Sequence, residues 1–212
     1  MFDEAPSPIP PPNTSKGQKT RQLILEAAER IFAERGYAAA RLEDVAAAVG
    51  IRRASIVYYF KDKQDLYEAM EVLIYDALVA ETARRLAKAA TPTEKLVLLI
   101  DSWLDFMIRR PNVPRIILRT VADAYPVGPN PVKYSGAALS LWEEVVREGQ
   151  RAGDFNAIDP IHLLHLIGSA ILLYGVSADM VGDNRRYDPT EAAVLEPFRQ
   201  LLHRSALSAV AR

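Results

Sequence analysis

The chain has 212 residues and a formal net charge of −1, with 50% of its residues hydrophobic and 25% charged. That suffices for one large domain or two small ones with real cores, in the composition of an ordinary soluble globular protein. There is no cysteine, so disulfides, thiolate metal sites and cysteine redox sensing are excluded, and a reducing cytoplasm suits the chain.

Residues 1–15 are proline-rich (PSPIPPPNTS) and read as a disordered or polyproline arm, with neither the basic nor the apolar region of a signal peptide. Structure is expected from Lys16. Ile24, Ala27, Ala28, Ile31 and Phe32 recur on one helical face, and Gly36 is a natural stop. Leu42, Val45, Ala46 and Val49 form a short second helix that runs into Gly50. A third follows almost at once. It carries Arg52, Arg53, Ser55, Tyr58 and Tyr59 and ends near Phe60. Two short helices joined by a glycine turn, the second loaded with cations and phenols, describe a helix-turn-helix that reads DNA.

Asp62 then reads as an N-cap, with Asp65 in the first turn of a long helix running to about Ala90. Thr91-Pro92-Thr93-Glu94 is a capping box opening a helix that carries Leu96, Leu99, Ile100, Trp103, Phe106 and Met107 until Pro111 breaks it. Another helix is expected over Val113–Ala124, before a turn at Tyr125–Asn130. Asn130-Pro131, Asp159-Pro160 and Asp188-Pro189, the last followed by Glu191, repeat one helix-start signal. Gly153 and Val181–Asn184 supply stops. The run Leu163–Ala178 is the most apolar, but it is short for a membrane span and contains His165, so a buried helix is expected. Nine helices and no sustained period-two alternation predict an all-α chain.

Residues 16–65 hold ten Lys or Arg against seven Asp or Glu, whereas residues 66–212 hold sixteen against eighteen. A basic end on an acidic body suits a phosphate-binding footprint at one end. At the start of the recognition helix, Arg52 and Arg53 enter the major groove first, and an arginine there can grip guanine O6 and N7 together. Ser55 can serve a base or a phosphate. Tyr58 and Tyr59 offer a hydroxyl for phosphate and a ring for a thymine methyl. Ile56 and Phe60 should point inward.

The segment resembles the DNA-binding domain of the tetracycline-repressor (TetR) family of bacterial regulators. The resemblance covers roughly residues 18–66. It rests on Ala27, Ala28, Phe32, Gly36 and Tyr37, then Asp44, Val45, Ala46, Gly50 and Ile51, then Ser55, Ile56, Tyr58, Phe60, Lys63 and Leu66. It implies that Arg53, Ser55, Tyr58 and Tyr59 touch DNA and that Lys63 binds a backbone phosphate. Four residues depart from the family pattern. Ala40 and Arg41 replace the usual Ser or Thr before the second helix, although Arg41 can still reach a phosphate. Arg52 replaces a small capping residue, and Val57 stands where an aromatic is common.

By the same resemblance, a three-helix DNA-binding domain (16–62) precedes a six-helix domain (63–212) for ligand binding and dimerisation. The implied partners are double-stranded operator DNA, a second copy of the chain and an unknown small-molecule effector. The fourth helix would couple the two functions. Candidate pocket residues are Trp103, Phe106, Met107, Leu118, Val121, Tyr125, Trp142 and Tyr174. Arg115 and Arg119 suit either an acidic ligand or an exposed basic face. The dimer face is expected on Ile161–Met180, apolar nearly all round, through Leu164, Gly168, Ile171 and Gly175. The last helix would add Val194, Phe198, Leu201 and Leu202.

Enzyme signals are weak. His162 and His165 stand at i, i+3 without a matching carboxylate, so no metal is expected. Asp101 and Asp105 share a face and read as its solvated side rather than a catalytic pair. No glycine-rich phosphate loop or nucleophile elbow is present, and no cofactor is expected. The reading is a repressor. The alternatives are an activator or effector-independent regulator or, in another class, a helical small-molecule enzyme or lipid-binding protein.

Overall fold

The computed structural model describes residues 14–127, 135–178 and 187–212, without the side chains of 123–127. Among these residues it is all-helical: α1 (Ser15–Ala39), α2 (Leu42–Val49), α3 (Arg53–Tyr59), α4 (Lys63–Leu86), α5 (Pro92–Arg109), α6 (Asn112–Val127), α7 (Gly136–Ala152), α8 (Pro160–Val176) and α9 (Ala192–Val210). The chain divides into two compact units, one ending at Val72 and one starting at Leu73, so the division falls inside α4.

Local chemistry sets most helix ends. Thr14 Oγ1 accepts the Gly17 N–H at 3.0 Å and starts α1. Gly36, at φ 75°, ψ 166°, kinks the chain three residues before α1 ends. At α4, the Asp65 N–H donates to Asp62 Oδ1 at 2.9 Å. The expected box before α5 forms in both directions: the Glu94 N–H donates to Thr91 Oγ1 at 3.2 Å and the Thr91 N–H to Glu94 Oε2 at 3.3 Å. Asp159 Oδ1 accepts the Ile161 N–H at 3.0 Å, and Pro160 occupies the first turn of α8.

Asp188 differs from expectation. It accepts both the N–H and the hydroxyl of Thr190, closing a turn, and α9 starts later, with Glu191 as N-cap. The expected signals at Asn130-Pro131 and Val181–Asn184, and all but the last two residues of the expected N-terminal arm, lie outside the described residues.

In the first unit, Ile24, Ala28 and Phe32 of α1 are buried with Val45, Ala46, Ile56, Phe60 and Leu66. Phe32 and Tyr67 meet edge to face at 4.8 Å. In the second unit, α5 is the hub and contacts α7, α8 and α9. Leu96, Leu99, Ile100, Leu104 and Met107 of α5 are fully buried. Gly149 is required by a close approach: a Cβ there would lie 2.1 Å from the Phe155 ring.

Candidate functional site

The turn between α2 and α3 rests on Gly50, whose left-handed backbone (φ 75°, ψ 30°) disfavours any side chain. The Gly50 N–H donates to Ala47 O at 3.2 Å and the Ile51 N–H to Ala46 O at 3.0 Å, closing α2. Arg52 precedes α3 with extended backbone and no capping side chain. Ile56 and Phe60, 0% and 2% exposed, hold α3 against the unit. The Arg21 guanidinium lies 5.0 Å from the Phe60 ring centre and covers it.

With Ile56 inward, the helical period turns Arg53, Ala54, Val57 and Tyr58 outward, and all four are exposed. Tyr59 is half-buried, its ring edge to face with Tyr58 at 5.5 Å. Ser55 is 7% exposed, which corrects its expected place on the recognition face: it is adjacent to Ile56 and turns inward with it. Val57, 42% exposed, takes the outward position instead. The signal was available, since Val57 lies one turn after Arg53.

Arg53 Nε lies 2.8 Å from Glu43 Oε1, both side chains mostly in water. Such a pair is worth little and can be exchanged for another partner. Arg41 is exposed, and its missing hydroxyl is offset from the other side: Asp44 Oδ2 accepts the Arg41 N–H at 3.1 Å and meets Arg35 Nη1 at 2.7 Å.

Lys63 corrects another expectation. Its ammonium donates to the carbonyls of Tyr37 (2.8 Å), Ala38 (3.3 Å) and Ala40 (3.2 Å) and sits 4.4 Å from the Tyr37 ring centre. An ammonium has three protons, and here each has an acceptor. Lys63 therefore ties the end of α1 to the start of α4 rather than presenting an uncommitted phosphate donor.

Of the expected pocket residues, Trp103, Phe106, Met107 and Trp142 are buried and Leu118 is half-buried. Val121 is 59% exposed and does not line an interior, because it falls on the outer face of α6. The Tyr125 side chain lies outside those described. Tyr174 stacks on Phe198 at 4.0 Å, and its carbonyl accepts the Tyr187 hydroxyl at 2.9 Å. The rings of Trp103 and Trp142 meet edge to face at 5.4 Å. Arg115 and Arg119 are exposed. Asp101 and Asp105 are not a solvated face: Arg199 Nη1 lies 2.7 Å from Asp101 and Nη2 2.6 Å from Asp105.

The expected dimer face is partly inverted. Gly168, Ile171 and Leu202 are buried within the chain, and Leu164, Val194 and Phe198 are half-buried. A Cβ on Gly175 would lie 3.2 Å from Pro114 Cγ, so that glycine accommodates α6 of its own chain. The outward apolar residues are Ile161 (42% exposed), Leu166 (52%) and Leu173 (58%) on α8 and Leu201 (49%) on α9. Among the described residues, no cluster of three or more His, Cys, Asp or Glu could hold a metal ion, and no helix is long and apolar enough to cross a membrane.

A family model described as bacterial regulatory proteins, tetR family, matches residues 24–70. A probable HTH-type transcriptional regulator of Pseudomonas putida, ArpR, is 38% identical over 81 residues, 38% of this chain and 36% of that relative. The chain thus spans about a third of the length of that curated relative. Among solved structures, a tetR-family regulatory protein from Rhodococcus superposes with a TM-score of 0.72 at 16% identity, covering 91% of this chain and 97% of that one. FadR from Bacillus subtilis, in complex with stearoyl-CoA, gives 0.70 at 18% identity, covering 89% and 98%. The structural likeness establishes the fold along nearly the whole chain, and the family match is confined to the helix-turn-helix and the start of α4. Residues 24–70 of this chain thus match the DNA-binding region of the tetR family of bacterial regulatory proteins, on a fold shared with solved regulators of that family.

Proposed function

We propose that this chain is a sequence-specific transcriptional regulator, a cytoplasmic homodimeric repressor released from a near-palindromic operator by a small molecule. The observation that carries the reading is the outward face of α3, where Arg53, Ala54, Val57 and Tyr58 stand exposed beyond the Gly50 turn while Ile56 and Phe60 fix the helix beneath them. Arg53 offers two-point hydrogen bonding to guanine, Val57 an apolar contact and Tyr58 a hydroxyl. Arg41 and Arg52 flank this face, exposed, as phosphate contacts. Tyr59 and Lys63 hold the surface in place.

A single such helix reads few base pairs. Two related by a dyad about 34–36 Å apart read a palindrome. The exposed leucines of α8 and α9 support pairing of two copies, because patches of this kind on a folded chain favour burial. Residues 16–62 would bind DNA and the remainder would bind ligand and pair. The stearoyl-CoA held by the Bacillus subtilis protein supports a ligand role for the second unit. An effector would act by binding one of two dimer states better than the other, with α4, continuous from Lys63 to Leu86, as the connection. The function is then recognition, not turnover.

A gel shift with the DNA upstream of the chain's own gene tests this. Sequence-selective binding that falls steeply with salt is expected. Arg53→Ala combined with Tyr58→Ala should abolish it with helicity unchanged. Unaltered binding by the double variant would remove α3 as the docking face.

A further inference from the structure

We propose that the second unit binds an uncharged, mainly apolar small molecule that presents a hydrogen-bond acceptor, a carbonyl or ether oxygen, to the paired indoles of Trp103 and Trp142. The inference rests on the chain being a ligand-responsive regulator and adds the chemistry of its ligand.

Trp103 is 7% exposed and Trp142 1%. Neither Nε1–H has a hydrogen-bond partner among the described residues. An indole N–H donates and does nothing else, so only an acceptor satisfies it. A buried donor left unpaired keeps its full desolvation cost, and a phenylalanine would fill an apolar core without that cost. Here two such donors occur on rings that touch. The hydroxyls of Thr82 and Tyr174, in the same unit, are also buried without partners among the described residues, and each can donate. A cavity of about 260 Å³ borders Trp142, with Leu139, Pro160, Ile161 and Leu164 as apolar walls and Glu143 and Asp159 at its rim; Trp103 is not one of its walls and is reached past the Trp142 ring it touches.

Charge sets the rest of the ligand's description. No lysine, arginine or histidine is buried among the described residues of this unit. Its half-buried carboxylates are already matched: Asp101 and Asp105 by Arg199, Glu81 by Arg85 and Arg109, and Glu148 by Lys95. At the cavity rim Glu143 pairs with Arg147, and Asp159 accepts the Ile161 N–H. An anionic ligand would leave water and meet only the carboxylates of Glu143 and Asp159 there, with no cation to offset its charge. A cation would leave both indole protons unsatisfied.

The sequence holds two tryptophans, so fluorescence of the full chain, excited at the red edge where tyrosine does not absorb, reports on this pair alone. The probes are methyl heptyl ketone and three molecules of the same carbon count: nonane, nonanoate and nonylammonium. The ketone is expected to change the emission saturably and to bind about tenfold more tightly than nonane, the ratio expected when a buried donor gains its acceptor. Both ionised probes should bind more weakly than the ketone. Trp103→Phe and Trp142→Phe keep a ring and remove a donor, so each should bring the ketone's affinity, read by thermal shift, towards that of nonane. The two indole N–H cross-peaks of the unmutated chain make the test independent of variant folding: they should move downfield with ketone and not with nonane. Equal affinity for ketone and nonane, tighter binding of either ion, or no binding of any of the four overturns the proposal. None of these readouts involves DNA, so this failure is separable from failure of the regulator reading, which the gel shift decides.

Discussion

Arg199 of α9 and Asp105 of α5 are joined at 2.6 Å, and the same two side chains extend the link to Asp101 and to Arg85 of α4. Three helices are therefore tied by one ionic ladder whose members are only 17–28% exposed. Burial alone would raise the pKa of Asp105, but hydrogen bonds and charge from Arg199 and Arg85 outweigh it and hold the carboxyl below its ordinary 3.8. Burial alone would lower that of Arg199, and its bonds to Asp105 and Asp101 raise it instead.

Arg199→Met should lower stability at neutral pH by about 1 kcal/mol, because it leaves Asp105 with Arg85 alone and Asp101 with His203 alone. With the folded pKa of Asp105 depressed, the ladder's contribution is complete above 3.8 and is lost as pH falls through the folded value. Urea unfolding at neutral pH and in strong acid checks this: the gap between the two proteins should narrow in acid.

Glu71 behaves in the opposite sense. It is 8% exposed, and burial, helped by the neighbouring Glu68, pushes its pKa from 4.5 to about 7. Below 4.5 the carboxyl is neutral whether folded or not, so it costs nothing. Between 4.5 and about 7 the unfolded chain ionises and the folded chain resists, so stability falls as pH rises. Glu71→Gln should therefore stabilise the protein by about 2 kcal/mol at mildly alkaline pH and have no such effect near the lower limit. Thermal melts across that range measure the difference, and a pH-independent gain would count against a buried, titrating carboxyl.

Val57 carries the most specific expectation for DNA reading. The apolar feature of the major groove is the thymine methyl. Replacing each operator thymine in turn by uracil removes only that methyl. At one position per half-site the unmutated chain should lose about 1 kcal/mol of binding. Val57→Ala should bind more weakly and be indifferent to the same replacement. Titrations that show no methyl sensitivity at any thymine would exclude the contact.

Leu166 and Leu173 lie outside the folded core, so aspartate at both should leave the single chain intact while making the exposed α8 face polar. Light scattering is expected to show a monomer with native helicity. A persistent dimer would place the pairing surface elsewhere.

What the sequence determined by itself was local. Thr91-Pro92-Thr93-Glu94 and Asp159-Pro160 fixed helix starts because their partners lie within three residues. Gly50 fixed the turn because its left-handed backbone conformation disfavours other residues. The spacing of Ile24, Ala28 and Phe32 fixed the inward face of α1, whose opposite face is polar. Only the tertiary structure decided the rest. In α8 the exposed His162, His165 and Ser169 already mark the outer face, but the seating of Pro114 of α6 against Gly175 depends on packing between segments far apart in the chain. The inward turn of Ser55, the capture of Lys63 by three carbonyls and the grip of Arg199 on two aspartates about a hundred residues away likewise depend on packing between distant segments, which no local pattern encodes.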